Sequence, residues 1–384
     1  MIGLGWNLHK EKNLLPKFIT ILKLRTSIGN VGNVSFNPYQ AQLSYRYSPN
    51  LIYNKEIGAV PVALVNPRLK WEKAIKRNIG IDFELWHERL SGSIEYYHNT
   101  TKDLVMTIAK PPHVGFSEGK ENIGQILNTG YEISLRSLIV KKHSFIFKGY
   151  IIASHNSNKI IKISDYLKNQ NKRNINGGQR LPVPIYSEGE SLTALKVMKS
   201  AGINPANGKE IFIKRNGEYT YEYDYNERQT VGDLTPTLQG SGGITATFKN
   251  FTLSMAFTYR LGATIYNATL ASKVEGTDPT VNADKRVFYN RWKTPGQEAL
   301  FKNIAITEVT PPTSRFIGKE YCIEGSSLML SYDLANKTCN KIHIKALRLS
   351  FSVGNYFYLS TIKRERGLNY PFARNCELRL NIQI

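Results

Sequence analysis

Residues 242–259 read GGITATFKNFTLSMAFTY. Phe251, Leu253, Met255, Phe257 and Tyr259 fall on one face of an extended chain, and Thr252, Ser254, Ala256 and Thr258 on the other, with no charge in the run. Successive side chains of a strand point to opposite faces, so this stretch is a strand with one apolar and one polar side. Lys249-Asn250 joins it to the preceding run, Gly242 to Phe248, across two residues, the length of a tight hairpin turn.

The same alternation recurs outward in both directions. Ile79-Ile81-Phe83-Leu85 opposes Gly80-Asp82-Glu84, Leu90-Gly92-Ile94-Tyr96 opposes Ser91-Ser93-Glu95-Tyr97, and Tyr131-Ile133-Leu135 opposes Glu132-Ser134-Arg136. Leu347-Leu349-Phe351-Val353 and Cys376-Leu378-Leu380-Ile382-Ile384 continue it to the C-terminus. The chain is all-β. Its connections fall into two classes. His87–Arg89 and Val140–Lys142 are short enough for hairpin turns, whereas 155–239, 260–325 and 355–374 are long and rich in Asn, Gly, Pro and charge. Compact domains rarely carry structureless connections beyond about 15 residues, while outer-membrane barrels pair short periplasmic turns with long extracellular loops. A soluble β-sandwich with one wet face shares the alternation. The strand lengths of about nine residues or more favour the barrel, as do the Ser/Thr/Gly face and the strand-end tyrosines Tyr96, Tyr97, Tyr259 and Tyr332, candidates for an interfacial girdle. Within the first long loop, Asn216-Gly217 is a type I′ hairpin signal for Lys209–Tyr225, and Ser191–Ser200 reads as a short helix.

The 384 residues and 41% apolar content contain no run of about 18 apolar residues, so membrane-spanning helices are excluded, but barrels are not. The N-terminus, MIGLGWNLHKEK, has no signal-peptide pattern. Three cysteines, Cys322, Cys339 and Cys376, form no zinc spacing; Cys322 and Cys339 could pair in an oxidising compartment. The seven histidines never stand three or four apart, and no phosphate loop, dinucleotide loop or nucleophile elbow occurs, so the reading is no enzyme, no cofactor and no metal. The net charge of +21 raises a nucleic-acid alternative, a soluble basic β-protein. The basic residues are scattered, however, with Lys168, Lys172, Arg173 and Arg180 in one loop and Lys341, Lys345 and Arg348 near a turn, instead of forming a stripe. Loops and turns lying against anionic lipid fit the charge better.

Particular words then resemble the SusC/RagA family of TonB-linked outer-membrane transporters. Leu22–Asn33 (LKLRTSIGNVGN) resembles its LKLRxSxGxxGN, Asn66–Glu72 (NPRLKWE) its NPxLKWE, and Asn78–Phe83 (NIGIDF) its NxGIDF. Leu90–Tyr97, Thr101–Leu104, Asn122–Gly124 and Asn128–Glu132 follow in family order, then Glu188-Gly189, Ala201–Pro205 and Gly208-Lys209. Arg291-Trp292, Pro295-Gly296, Pro312–Phe316, Leu347–Ser350 with Asn355, and Tyr370–Arg374 complete the series. The resemblance implies roughly the C-terminal half of a 22-stranded transmembrane antiparallel β-barrel, about 10 to 12 strands over residues 1–384, with 155–239 and 260–325 as extracellular loop regions. It implies import of glycans or peptides, a SusD-like surface lipoprotein as partner, contact with outer-membrane lipid and location in the cell outer membrane. The TonB complex would act only through an N-terminal part, since the plug, TonB box and signal peptide of the family are not found here. A non-functional truncated paralogue or fragment is the alternative. The family usually ends on an aromatic residue; here the end is Ile384. Substrate contacts are expected to be dispersed over the loops, with Tyr219, Tyr221, Tyr223 and Tyr225 as candidates for stacking on sugar rings, or else as cross-strand pairs of an exposed ribbon.

Overall fold

A computed structural model describes residues 1–11, 14–33, 42–176, 181–278, 280, 283–341, 343–363 and 373–384. Arg180 and Tyr370–Phe372, singled out above, lie outside them, as does part of the connection 355–374.

The chain begins with β1 (Ile2–Asn7), β2 (Ile19–Asn33), the hairpin β3 (Tyr45–Tyr53) and β4 (Glu56–Pro61), β5 (Glu72–Leu85), β6 (Leu90–Ala109), β7 (Glu118–Lys142) and β8 (Phe145–Ile163). Helix α1 (Asp165–Asn176) opens an insertion that holds β9 (Ala194–Val197), β10 (Lys199–Ile203), β11 (Glu210–Ile213), β12 (Tyr219–Thr220) and β13 (Gln229–Asp233). The long strands resume with β14 (Leu238–Phe248), β15 (Phe251–Tyr266) and β16 (Ile317–Asp333), followed by α2 (Asn336–Lys341), β17 (Ala346–Ser360) and β18 (Cys376–Gln383). Eleven of these strands form one antiparallel sheet in the order β1-β2-β5-β6-β7-β8-β14-β15-β16-β17-β18, with β1 and β18 at its edges. Each strand lies beside its predecessor in the large sheet, an up-and-down arrangement that puts every connection on one of two rims. One rim carries the short turns at 86–89, 143–144 and 249–250; the other carries the long connections 164–237 and 267–316.

Register makes the two faces continuous. Leu24 pairs with Trp6 and Ile81, Ile81 with Ile94, and Ile94 with Ile133. Across the sheet Met255 pairs with Leu328, Leu328 with Val353, and Leu330 with Phe351, which pairs with Leu378. These side chains lie on one apolar face and are exposed or half-buried, and their neighbours on it are exposed too, Leu4 at 72% and Ile79 at 56%, with Leu330 at 45%. A face of this extent left uncovered in a water-soluble monomer would be an aggregation surface. The opposite face is polar: Arg25 bridges Asp82 (3.2 Å) and Glu95 (2.8 Å), and Ser331 meets Ser350 at 3.0 Å.

Glycines on one strand are covered by rings from the next. Gly240 lies opposite Tyr259, whose hydroxyl donates to Ile152 O at 2.9 Å, one strand further on, and a Cβ at Gly240 would collide with that same carbonyl. Gly242 opposite Phe257, Gly92 opposite Phe83 and Gly325 opposite Phe357 repeat the arrangement.

Several expectations are corrected. The ladders extend past the expected loop limits: β8 runs to Ile163, β15 to Tyr266 and β17 to Ser360, while β16 begins at Ile317. The reason is pairing with long neighbours, since β7 has 25 residues where about 9 to 11 suffice to cross the hydrocarbon. The third hairpin turn sits at His143-Ser144, not Val140–Lys142. Ser191–Ser200 is not a helix: Leu195 and Val197 point into buried space while Ala194–Val197 pairs with β13. At Asn216-Gly217 only Gly217 takes a positive φ (+89°), and Gly217 N donates to Lys214 O, so the turn is a type I turn closed by a left-handed glycine. Tyr97 faces the polar side, its hydroxyl donating to Asn156 Oδ1 at 2.9 Å, and Tyr259 is buried over Gly240, whereas Tyr96 and Tyr332 lie on the apolar face. Cys322 and Cys339 do not pair: they stand near opposite ends of β16, and all three cysteines are free. Lys168, Lys172 and Arg173 belong to α1 instead of a loop.

Candidate functional site

The two long connections on the loop rim pack on each other. In β11 the pattern buries Glu210 and Phe212 and leaves Ile211 and Ile213 half-buried. Phe212 meets the edge of Tyr223 (centroids 5.5 Å apart), and Tyr223 meets Tyr225 at 4.9 Å and 78°. Such edge-to-face pairs contribute about 0.5–1.5 kcal/mol each beyond area burial. The Tyr223 hydroxyl donates to Pro312 O (3.1 Å) in the second connection, and burial pushes that phenol well above its ordinary pKa. The guanidinium of Arg228 lies over the Tyr225 ring, 5.3 Å from its centroid, and its Nε donates to Tyr225 O.

Buried charge ties the loops together. Arg315 Nε and Nη2 donate to the two carboxylate oxygens of Glu210 at 3.1 and 2.8 Å, and Nη1 donates to Glu275 Oε2 at 2.5 Å and Leu300 O at 2.6 Å. Burial disfavours this guanidinium's charge, but Glu275 and Glu210 outweigh it and hold the pKa above the normal arginine value. Arg291, also buried, spends its donors on the carbonyls of Val287, Val274, Glu275 and Lys302. Trp292 lays its ring on Gly208 and donates Nε1–H to Pro205 O at 2.7 Å; Gly208 has φ +69°, and a Cβ there would strike that ring. Ser200 N donates to Ser314 Oγ at 2.9 Å, closing the join. The words Arg291-Trp292 and Pro312–Phe316 thus mark the seam between the connections.

Above this seam lies a cavity of about 530 Å³, lined by Phe212, Tyr221, Tyr223, Tyr225, Lys302 and the 305–311 strap, with Lys209, Glu210, Lys302 and Glu308 as charged members. That volume is within the range of about 300–1,000 Å³ common for ligand sites. Three of the four candidate tyrosines come together here; Tyr219 does not, being exposed on β12. The expected ribbon stops at Thr220, so Tyr221, Tyr223 and Tyr225 leave strand geometry and turn toward the second connection. Tyr221 is half exposed, its hydroxyl accepting from Asn204 Nδ2 at 2.5 Å. Glu210 and Glu275 carry no signal in the sequence because their partner Arg315 is 105 and 40 residues away, and Lys302 carries none because among the described residues its ammonium meets only a backbone carbonyl, Glu308 O; Arg315 stands inside a recognised word, which is its only signal.

Comparison with known proteins agrees with this architecture. The family described as TonB dependent receptor-like, beta-barrel matches residues 2–296. TonB-dependent receptor P39 of Formosa agariphila is 25% identical over 93% of this chain, and TonB-dependent receptor SusC of Bacteroides thetaiotaomicron is 26% identical over 71%. The chain spans 38% of the first relative's length and 28% of the second's. Among solved structures, the RagAB peptide transporter superposes with a TM-score of 0.76 at 21% identity, covering 94% of this chain and 40% of the other. With its eleven-stranded, two-faced sheet and loop-bearing rim, the chain belongs to the TonB-dependent receptor-like β-barrel family, and forms part of that family's barrel domain.

Proposed function

We propose that the chain supplies the C-terminal barrel wall of an outer-membrane importer of large nutrients, glycans or peptides, working with a SusD-like surface lipoprotein and, through an N-terminal part of the receptor, with the TonB complex. Its role is passive: the apolar face lies against lipid, the polar face lines the lumen, and the connections 164–237 and 267–316 stand outside the cell, where they contact substrate and the lipoprotein. The observation that carries this reading is the continuous segregation of apolar and polar residues across eleven strands, with a braced loop body at one rim only. Tyr221, Tyr223 and Tyr225 are the substrate contacts proposed within that body. The basic turn-rim residues, Lys249, Lys337, Lys341 and Lys345 among them, fit anionic headgroups at the opposite rim. Joined to a plug-containing N-terminal segment, the chain is expected to fractionate with the outer membrane; recovery of the joined product as a soluble monomer contradicts the proposal.

A further inference from the structure

The charges beneath the cavity do not cancel. Arg228, Arg291, Lys302 and Arg315 lie in and around its walls with little or no exposure, against the buried carboxylates Glu210 and Glu275 and the exposed Glu308, which leaves positive charge in excess. Both carboxylates are committed to Arg315, and Arg291 gives four of its five N–H donors to backbone carbonyls. The residue left over is Lys302, only 6% exposed. Among the described residues its ammonium donates only to Glu308 O, at 2.5 Å, although an ammonium has three donors. Burial draws its pKa below the ordinary lysine value, with Glu275 and Glu210 opposing the shift. A buried cation with spare donors is costly unless something anionic meets it.

Lys302 lines the cavity together with the rings of Tyr221, Tyr223 and Tyr225, and it also borders a neighbouring cavity of about 420 Å³ beside Ala271 and Glu275. We propose that this cavity binds the carboxylate of an acidic sugar, with the Lys302 ammonium as counter-charge and the rings of Tyr221, Tyr223 and Tyr225 against the sugar faces. This rests on the reading that the loop body contacts substrate, and it narrows the substrate to a uronate-type glycan. The rings offer flat surfaces for the C–H faces of a pyranose, and Thr307 on the strap supplies a hydroxyl beside them. A peptide is less well served at the tyrosines, because of the two open edges of the small sheet, β10 and β12, the one that leads into Tyr221 presents only Tyr219 and Thr220 for main-chain pairing. Lys209, on the exposed side of the cavity, adds a second positive charge near the mouth; Glu308, also exposed there, opposes it.

The test is titration calorimetry of the full chain in detergent micelles with trigalacturonate, with its neutral counterpart in which each carboxylate is reduced to an alcohol, and with an acidic tripeptide. Trigalacturonate is expected to bind at least about tenfold more tightly than the neutral sugar. Lys302→Gln should abolish that preference while Lys302→Arg keeps it, and near-UV circular dichroism would confirm that each variant retains the loop packing. If Lys302→Gln unfolds the loops, the three-ligand comparison on the unaltered chain decides alone. Equal binding of acidic and neutral sugars, lost in Tyr221→Ala, overturns the charge assignment but leaves the loop body as a substrate site. Binding of the peptide alone overturns the sugar assignment, and no binding by any of the three overturns both.

Discussion

Arg315 is the residue on which the loop body turns, because among the described residues it alone contacts carboxylates from both long connections. Removing one member of a buried ion network leaves the others charged and unpaired, at a cost of about 3–5 kcal/mol. Arg315→Met is therefore expected to raise hydrogen exchange in 194–213 and 270–275 while exchange in the Lys249-Asn250 hairpin stays unchanged. Undiminished protection in those loops would show that the ion network does not hold them. Asp284 makes a smaller, pH-dependent contribution. Its carboxylate accepts from the side chain of Arg286 (3.0 and 2.6 Å) and from its backbone N–H (2.9 Å), which lowers its pKa to about 2. A depressed carboxylate stabilises the fold above its unfolded pKa of about 3.9, and that contribution is lost as pH falls through 2. Asp284→Asn should flatten the acid side of the loop-stability profile between about pH 4 and 2, measured by thermal melts at fixed ionic strength; an unchanged profile would assign the acid sensitivity elsewhere.

At the scale of elements, the paired strands carry both the wall and its tolerance to change. Gly240 exists where it does because Tyr259 crosses it to reach Ile152 O. Gly240→Val is expected to prevent that crossing and to lower the yield of assembled protein, read by heat-modifiable gel mobility. The two faces should also differ in what they accept. Leu253→Arg puts a charge on the apolar face three residues into β15 and should be destabilising, by a cost that rises with depth from about 0–1 kcal/mol near the interface toward about 2–4 kcal/mol at the midplane, whereas Ser254→Arg, on the polar face, should be nearly neutral. Much of this was legible from residues alone: the alternation of Phe251–Tyr259 named the correct face for every residue, and Lys249-Asn250 named the turn. Strand ends were less legible, since β8 continues past His155 only because β7 is long enough to pair with it. Ser191–Ser200 was misjudged for a related reason. Its extended form depends on β13, whose first residue, Gln229, lies over thirty positions away, and local composition carries no trace of that partner.

On the whole-molecule scale, the proposed function assigns the eleven strands to the wall and the loop body to the contact surface. The tyrosines at 221, 223 and 225 were visible as an alternating series, but their convergence on Lys302 came from the packing of one long connection on another. In the proposed role the sheet is a membrane wall with lipid on one side and water on the other. Nitroxide spin labels placed singly at 251–258 in the chain reconstituted in lipid test it most directly, by comparing accessibility to oxygen and to a water-soluble nickel chelate. The expected result is strict alternation, with oxygen favoured at 251, 253, 255 and 257 and the chelate favoured at 252, 254, 256 and 258. Chelate accessibility at every position, or no period of two, would contradict it.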